Sequence, residues 1–138
     1  METLYTSEVT SQGGLQGHIK SEDGALDTDV YMPTGKNNDD QKGTTPEQLF
    51  AASYASCLEG TLYHVAKLNN IDISNTEVKA KIQAVEVEKG DLQFKLDLSV
   101  NLPGVDEQKA EHVLKEAYKN CPLTKATKGN MEVDVKLA

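Results

Sequence analysis

The sequence contains no arginine; its 14 basic residues are all lysine. Any mechanism needing a guanidinium from this chain is thereby excluded, because an ammonium is a point charge and cannot grip two groups in a planar fork. Tryptophan is also absent and phenylalanine occurs only twice. Hydrophobic residues make up 38% of the 138 positions, enough for one modest core. We expect a single domain over residues 1–138, with part of that core completed by a partner subunit. No uninterrupted apolar run is long enough to span a bilayer, and no basic stretch leads into an apolar one near the N-terminus, so neither a membrane anchor nor a secretory leader is expected. Net positive charge is lacking too. The formal charge is −8 and the pI about 4.8, which disfavours phosphate backbones and anionic lipid. The expectation is a cytoplasmic protein with no nucleic-acid partner and no membrane partner. Histidine is sparse: His18, His64 and His112 do not have metal-ligand spacing, so no metal and no cofactor is expected.

What is present reads as strands interrupted by two helices. Leu4 to Thr10 is rich in strand formers and Ser11-Gln12-Gly13-Gly14 reads as a turn. Leu15 to Lys20 fits a return strand, Glu22-Asp23-Gly24 a second turn, and Leu26, Thr28 and Val30 alternate against Asp27 and Asp29. Pro33 to Gly43 is polar and reads as a loop. A helix start follows, with Thr45 as N-cap, Pro46 at the first position, Gln48 completing a capping box and Glu47 favoured by the macrodipole. The helix runs from about Glu47 to Leu68 and Asn69-Asn70 ends it; its first half is crowded with small residues. Val78 to Ala84 alternate, a phase change at Val85 suggests a bulge, and Lys89-Gly90-Asp91 is a hairpin turn. Leu92 to Leu102 alternate without a break. Val105 to Lys119 is helical, with Ala110, Val113, Leu114 and Ala117 on one face. Met131, Val133, Val135 and Leu137 mark a last strand. This order indicates an α+β class.

Cysteine is the remaining scarcity: there are two, Cys57 and Cys121. Helical spacing projects Phe50, Tyr54, Cys57 and Leu58 to one side. A lone mid-helix cysteine beside Leu58 reads more readily as packing than as a nucleophile. Cys121 lies at a helix end, and Pro122 biases it towards an extended backbone. As a pair the two fit an attacking and a resolving thiol, since a sulfenic acid on one can be trapped by the other as a disulfide. The attacking species is the thiolate, and an apolar site disfavours it. His64 is seven residues from Cys57 on the same helix, about 10 Å by helical rise, too far to act as its partner. Glu47 lies about 15 Å before Cys57 along that helix and reads, on its own, as a first-turn carboxylate.

The stretch from Gly43 through Pro46, Glu47, Gln48, Leu49 and Phe50 to Cys57 and Leu58 closely resembles the first signature of the organic hydroperoxide resistance (Ohr) branch of the OsmC/Ohr family. The stretch from Cys121 and Pro122 to Gly129 and Asn130 resembles the second. The resemblance covers nearly the whole chain. It implies antiparallel sheets wrapped around a long central helix in an intertwined homodimer, with active sites at the subunit interface. It implies that Cys57 matches the peroxidatic cysteine, Cys121 the resolving one, and Glu47 a carboxylate that hydrogen-bonds a catalytic arginine. The implied substrates are organic or fatty-acid hydroperoxides, and the implied reductant is a dithiol such as a lipoylated protein. An apolar pocket lined by Phe50, Tyr54 and Leu58 would suit such substrates.

The departures are specific. Where the family places its arginine after a Gly-Gly pair, Gly13-Gly14 is followed by Leu15. Thr45 stands where asparagine is usual, Leu123 where an aromatic is usual, and Lys128 where arginine is usual. Lys20, Lys36, Lys42 or Lys128 could supply a point charge but not a fork. The expectation is therefore a slower or differently tuned peroxidase, with a non-catalytic or redox-sensing relative of the same fold as the alternative.

Overall fold

The structure is a computed structural model that describes residues 1–14, 16–32 and 43–138. The chain divides into two compact units, Met1–Leu49 and Phe50–Ala138. The observed order is β1 (Val9–Gln12), β2 (Gln16–Ser21), β3 (Asp27–Tyr31), α1 (Pro46–Leu68), β4 (Glu77–Glu88), β5 (Asp91–Asn101), α2 (Glu107–Asn120), α3 (Pro122–Thr127) and β6 (Glu132–Leu137). Among the described residues no helix is long and apolar enough to cross a membrane.

In the first unit β1, β2 and β3 form an antiparallel sheet in sequence order. The first strand begins at Val9 rather than Leu4; Leu4 and Tyr5 carry strand-forming side chains but remain exposed and unpaired among the described residues. The alternation expected on the third strand holds, with Val30 buried and Asp29 exposed. After β3, Thr44 forms a parallel bridge to Val30, with Tyr31 N–H donating to Thr44 O at 3.0 Å and Thr44 N–H to Asp29 O at 2.8 Å. Gly43 permits this approach. Its φ is +109°, and a Cβ there would stand 2.2 Å from the Asp29 carbonyl oxygen. The loop expected over Pro33 to Gly43 lies, apart from Gly43, outside the described residues.

Helix α1 begins as its cap residues dictate. The Thr45 hydroxyl accepts from Gln48 N–H at 3.1 Å. The reciprocal half of the capping box is replaced: the Gln48 side chain accepts from the Thr44 hydroxyl at 2.9 Å. At the other end Asn70 adopts φ 55°, a left-handed conformation that asparagine tolerates and that closes a helix.

In the second unit, Tyr54, Leu58, Leu62, Val65 and Ala66 of α1 bury one stripe against Leu96, Leu98 and Val100 of β5 and Ala110, Val113, Leu114 and Ala117 of α2. Each fully buried leucine contributes roughly 1.5–3 kcal/mol relative to exposure. The α2 face is the one that periodicity indicates, although the helix starts at Glu107, because the Asp106 carboxylate caps it by accepting from Lys109 N–H at 3.2 Å. Antiparallel pairing holds between β4 and β5. It does not extend to β6, which runs parallel to β5, because α2 and α3 form a crossover and return the chain to the same end of the sheet. The bulge falls between Glu86 and Glu88, beyond Val85. There the Glu86 carboxylate accepts from Gly90 N–H at 2.8 Å and closes the hairpin.

Candidate active site

Two elements of the second unit bring the cysteines together. Cys57 sits on α1 one turn after the buried Tyr54 and is part-exposed. Cys121 is fully buried at the junction of α2 and α3. Its backbone belongs to both helices: its N–H donates to Ala117 O at 2.8 Å, and its carbonyl accepts from Lys125 N–H at 3.2 Å. Its φ and ψ of −62° and 125° are the extended values that the following proline favours. Both thiols are free, and the two Sγ atoms are 3.7 Å apart. A disulfide needs them at about 2.05 Å, so a small side-chain rotation separates the two states.

Burial, and then the neighbouring Cys121 thiol, push the Cys57 thiol above its ordinary range, while the Leu123 backbone N–H acts in the opposite direction. This agrees with the expectation that an apolar site opposes the thiolate. Leu123 takes part through its main chain, so replacing the usual aromatic side chain leaves this contact available.

The hydroxyl of Tyr54 lies 2.7 Å from Thr124 Oγ1. Burial, and then the Tyr54 hydroxyl, raise the Tyr118 phenol above its ordinary range. The expected substrate pocket is corrected here. Tyr54 and Leu58 are fully buried in the core, because they pack on the inward side chains of β5, and only Phe50 keeps partial exposure.

Glu47 belongs to the first compact unit. Its Oε2 is buried, with no hydrogen-bond partner among the described residues. Of the candidate lysines, Lys20 and Lys128 are exposed and form no ion pair among the described residues; Lys36 and Lys42 lie outside them. Among the described residues no group of three or more His, Cys, Asp or Glu could hold a metal ion. Sequence reasoning missed the surroundings of His18. Its Nδ1 is 2.7 Å from Asp29 Oδ1 and its Nε2 hydrogen-bonds Asp27. Drawing the β2–β3 register puts His18 directly opposite Asp29, so the signal was available once the hairpin was drawn.

The OsmC-like protein family model matches residues 37–136. The organic hydroperoxide resistance protein OhrB of Bacillus subtilis (strain 168) is 44% identical over 135 residues, covering 97% of this chain and 98% of that protein. The chain belongs to the OsmC/Ohr family, in its Ohr branch. The crystal structure of B. subtilis OhrB aligns with a TM-score of 0.90 at 40% identity, covering 99% of this chain and 100% of that one. An organic hydroperoxide resistance protein from Elizabethkingia anophelis aligns with a TM-score of 0.91 at 36% identity, covering 100% and 99% respectively. The α+β reading and the Ohr-like fold are thus established.

Proposed function

We propose that this Ohr-branch protein is a thiol-dependent peroxidase that reduces organic hydroperoxides. The observation carrying the proposal is the 3.7 Å separation of two free thiols, one part-exposed and one buried. The Cys57 thiolate attacks the terminal oxygen of the hydroperoxide and the O–O bond breaks; the OH stays on sulfur as a sulfenic acid, and the departing alkoxide takes up from solvent the proton that the thiol released on ionising, leaving as the alcohol. The Cys121 sulfur then attacks the Cys57 sulfur. The S–O bond breaks, water leaves, and a Cys57–Cys121 disulfide remains. A dithiol, such as a dihydrolipoyl group on a protein, returns the enzyme by two thiol–disulfide exchanges and is itself oxidised to a disulfide. The name borne by B. subtilis OhrB supports hydroperoxide as the substrate class.

Glu47 is proposed to hold a cation, supported by its buried acceptor oxygen. The acting form is proposed to be a homodimer in a reducing, cytoplasmic setting. The 23-residue α1 carries charge only at Glu47, Glu59 and Lys67, and it leaves Ala52, Ser53, Ser56 and Gly60 exposed. An uncharged helix face of small residues suits close contact with a second copy.

A second reading, a redox sensor without fast turnover, is favoured by the raised Cys57 thiol. One experiment separates them. Stoichiometric cumene hydroperoxide or hydrogen peroxide is added to the reduced protein, and disulfide formation is followed by mass spectrometry with and without dihydrolipoamide. The peroxidase reading expects faster oxidation by the organic peroxide and recycling by the dithiol. Unchanged thiols under excess organic peroxide would sink it, and equal rates with both oxidants would favour the sensor.

A further inference from the structure

Helix α3 begins immediately after Cys121, yet none of its six residues is fully buried. Leu123 packs partly against the core, but the specific side-chain tie from α3 to α1 is the 2.7 Å hydrogen bond between Tyr54 and Thr124. The spacing is symmetrical. Tyr54 is three residues before Cys57 and Thr124 three residues after Cys121. On both helices, then, the hydroxyl stands about one turn from the thiol. Two side-chain contacts join α1 to this junction and to the helix that follows it: sulfur to sulfur at 3.7 Å and oxygen to oxygen at 2.7 Å. Tyr54 is fully buried, so its hydroxyl has little water to turn to and the bond is held where exchange with solvent is costly.

We propose that the Tyr54–Thr124 bond is a positioning latch, which fixes the Cys121-bearing junction against α1 and thereby sets the effective concentration of Cys121 at Cys57. Among the described residues neither hydroxyl hydrogen-bonds a cysteine sulfur. The latch acts on the second step of the proposed reaction, Cys121 attack on the Cys57 sulfenic acid with loss of water, and it rests on that reading only for its kinetic consequence. Its equilibrium consequence is independent of any peroxide: the Cys57–Cys121 disulfide forms more readily when the junction is held in register.

The test uses the full-length protein with Tyr54→Phe, Thr124→Ala and Thr124→Ser. Each variant is equilibrated in glutathione redox buffers, and the disulfide fraction is read by mass spectrometry after acid quench. Loss of this part-buried hydrogen bond should lower the effective concentration roughly threefold to tenfold in the first two variants, with Thr124→Ser close to wild type. In the presence of cumene hydroperoxide, Thr124→Ala should show slower disulfide formation while sulfenic acid forms at a rate within about twofold of wild type. Its sulfinic acid should then appear at a lower peroxide dose, because the intermediate persists. The latch is overturned if the redox-buffer equilibria of Tyr54→Phe and Thr124→Ala match wild type. It is also overturned if Thr124→Ser is as impaired as Thr124→Ala, or if attack and resolution slow together. A wild-type protein that forms no sulfenic acid would end the peroxidase reading, and the redox-buffer equilibria would still decide the latch.

Discussion

Cys57 is pulled in two directions by its neighbours. Burial and the adjacent Cys121 thiol favour the neutral form, and the Leu123 N–H favours the thiolate. The nucleophile is therefore a minority species at neutral pH, and its reactivity should climb with pH to a midpoint above the ordinary thiol range of about 8.5. Iodoacetamide alkylation of Cys57, followed by peptide mass spectrometry across pH, measures this midpoint. Cys121→Ala removes two of the influences that raise it, so the midpoint should move down in that variant while burial keeps it elevated. A midpoint near neutrality in the wild type would contradict the picture.

At the scale of elements, legibility followed periodicity. The long helix and the strand over Asp91–Asn101 announce themselves because many side chains repeat one pattern, and the Thr45 cap sits where the first turn needs an acceptor. Helix α3 was invisible because six residues starting with proline show no period. The direction of β6 was invisible because strand order and crossover, rather than composition, decide it. The thiol pair was legible as two signatures. The Tyr54–Thr124 bond, spanning 70 positions, was not, since nothing local marks a hydroxyl for a distant partner. The β2–β3 pair supplies a testable case. His18 donates from both ring nitrogens to Asp29 and Asp27 only when protonated, and those hydrogen bonds, Asp29 first, raise its pKa. Lys20 on β2 and the carboxylates Glu8 and Glu22 line the same surface. A raised folded value means the stabilisation is fully present below the unfolded pKa of about 6.5 and is lost as pH rises through the folded one. The melting-temperature difference between wild type and His18→Asn should therefore be largest in mild acid and shrink above neutrality. A difference constant across that window would refute the clamp. All three side chains are substantially exposed, so salt should weaken the effect as well.

For the whole molecule, Gly60 discriminates between a lone chain and a dimer built on α1. In the chain by itself a Cβ at Gly60 meets no atom within 4 Å among the described residues. Glycine in a helix interior costs about 1 kcal/mol relative to alanine, so Gly60→Ala should stabilise a monomer by roughly that amount, with a gain independent of protein concentration. A second copy packed on the exposed Ala52, Ser53, Ser56 and Gly60 face reverses the sign. Backbones approach closely only where side chains are minimal, so an added methyl there costs more in contact than it returns in propensity. The expected outcome is a weaker dimer by sedimentation equilibrium, a melting temperature that falls and becomes more dependent on concentration, and a larger version of both effects with Gly60→Leu. A Gly60→Ala protein that sediments as wild type and melts higher at every concentration would place the interface elsewhere. The same substitution bears on chemistry, because the dimer is proposed to complete the surroundings of Cys57, one turn before Gly60 on the same helix. Loss of dimer should then slow peroxide attack at Cys57 while leaving the Cys57–Cys121 equilibrium in redox buffer unchanged, since both sulfurs come from a single chain.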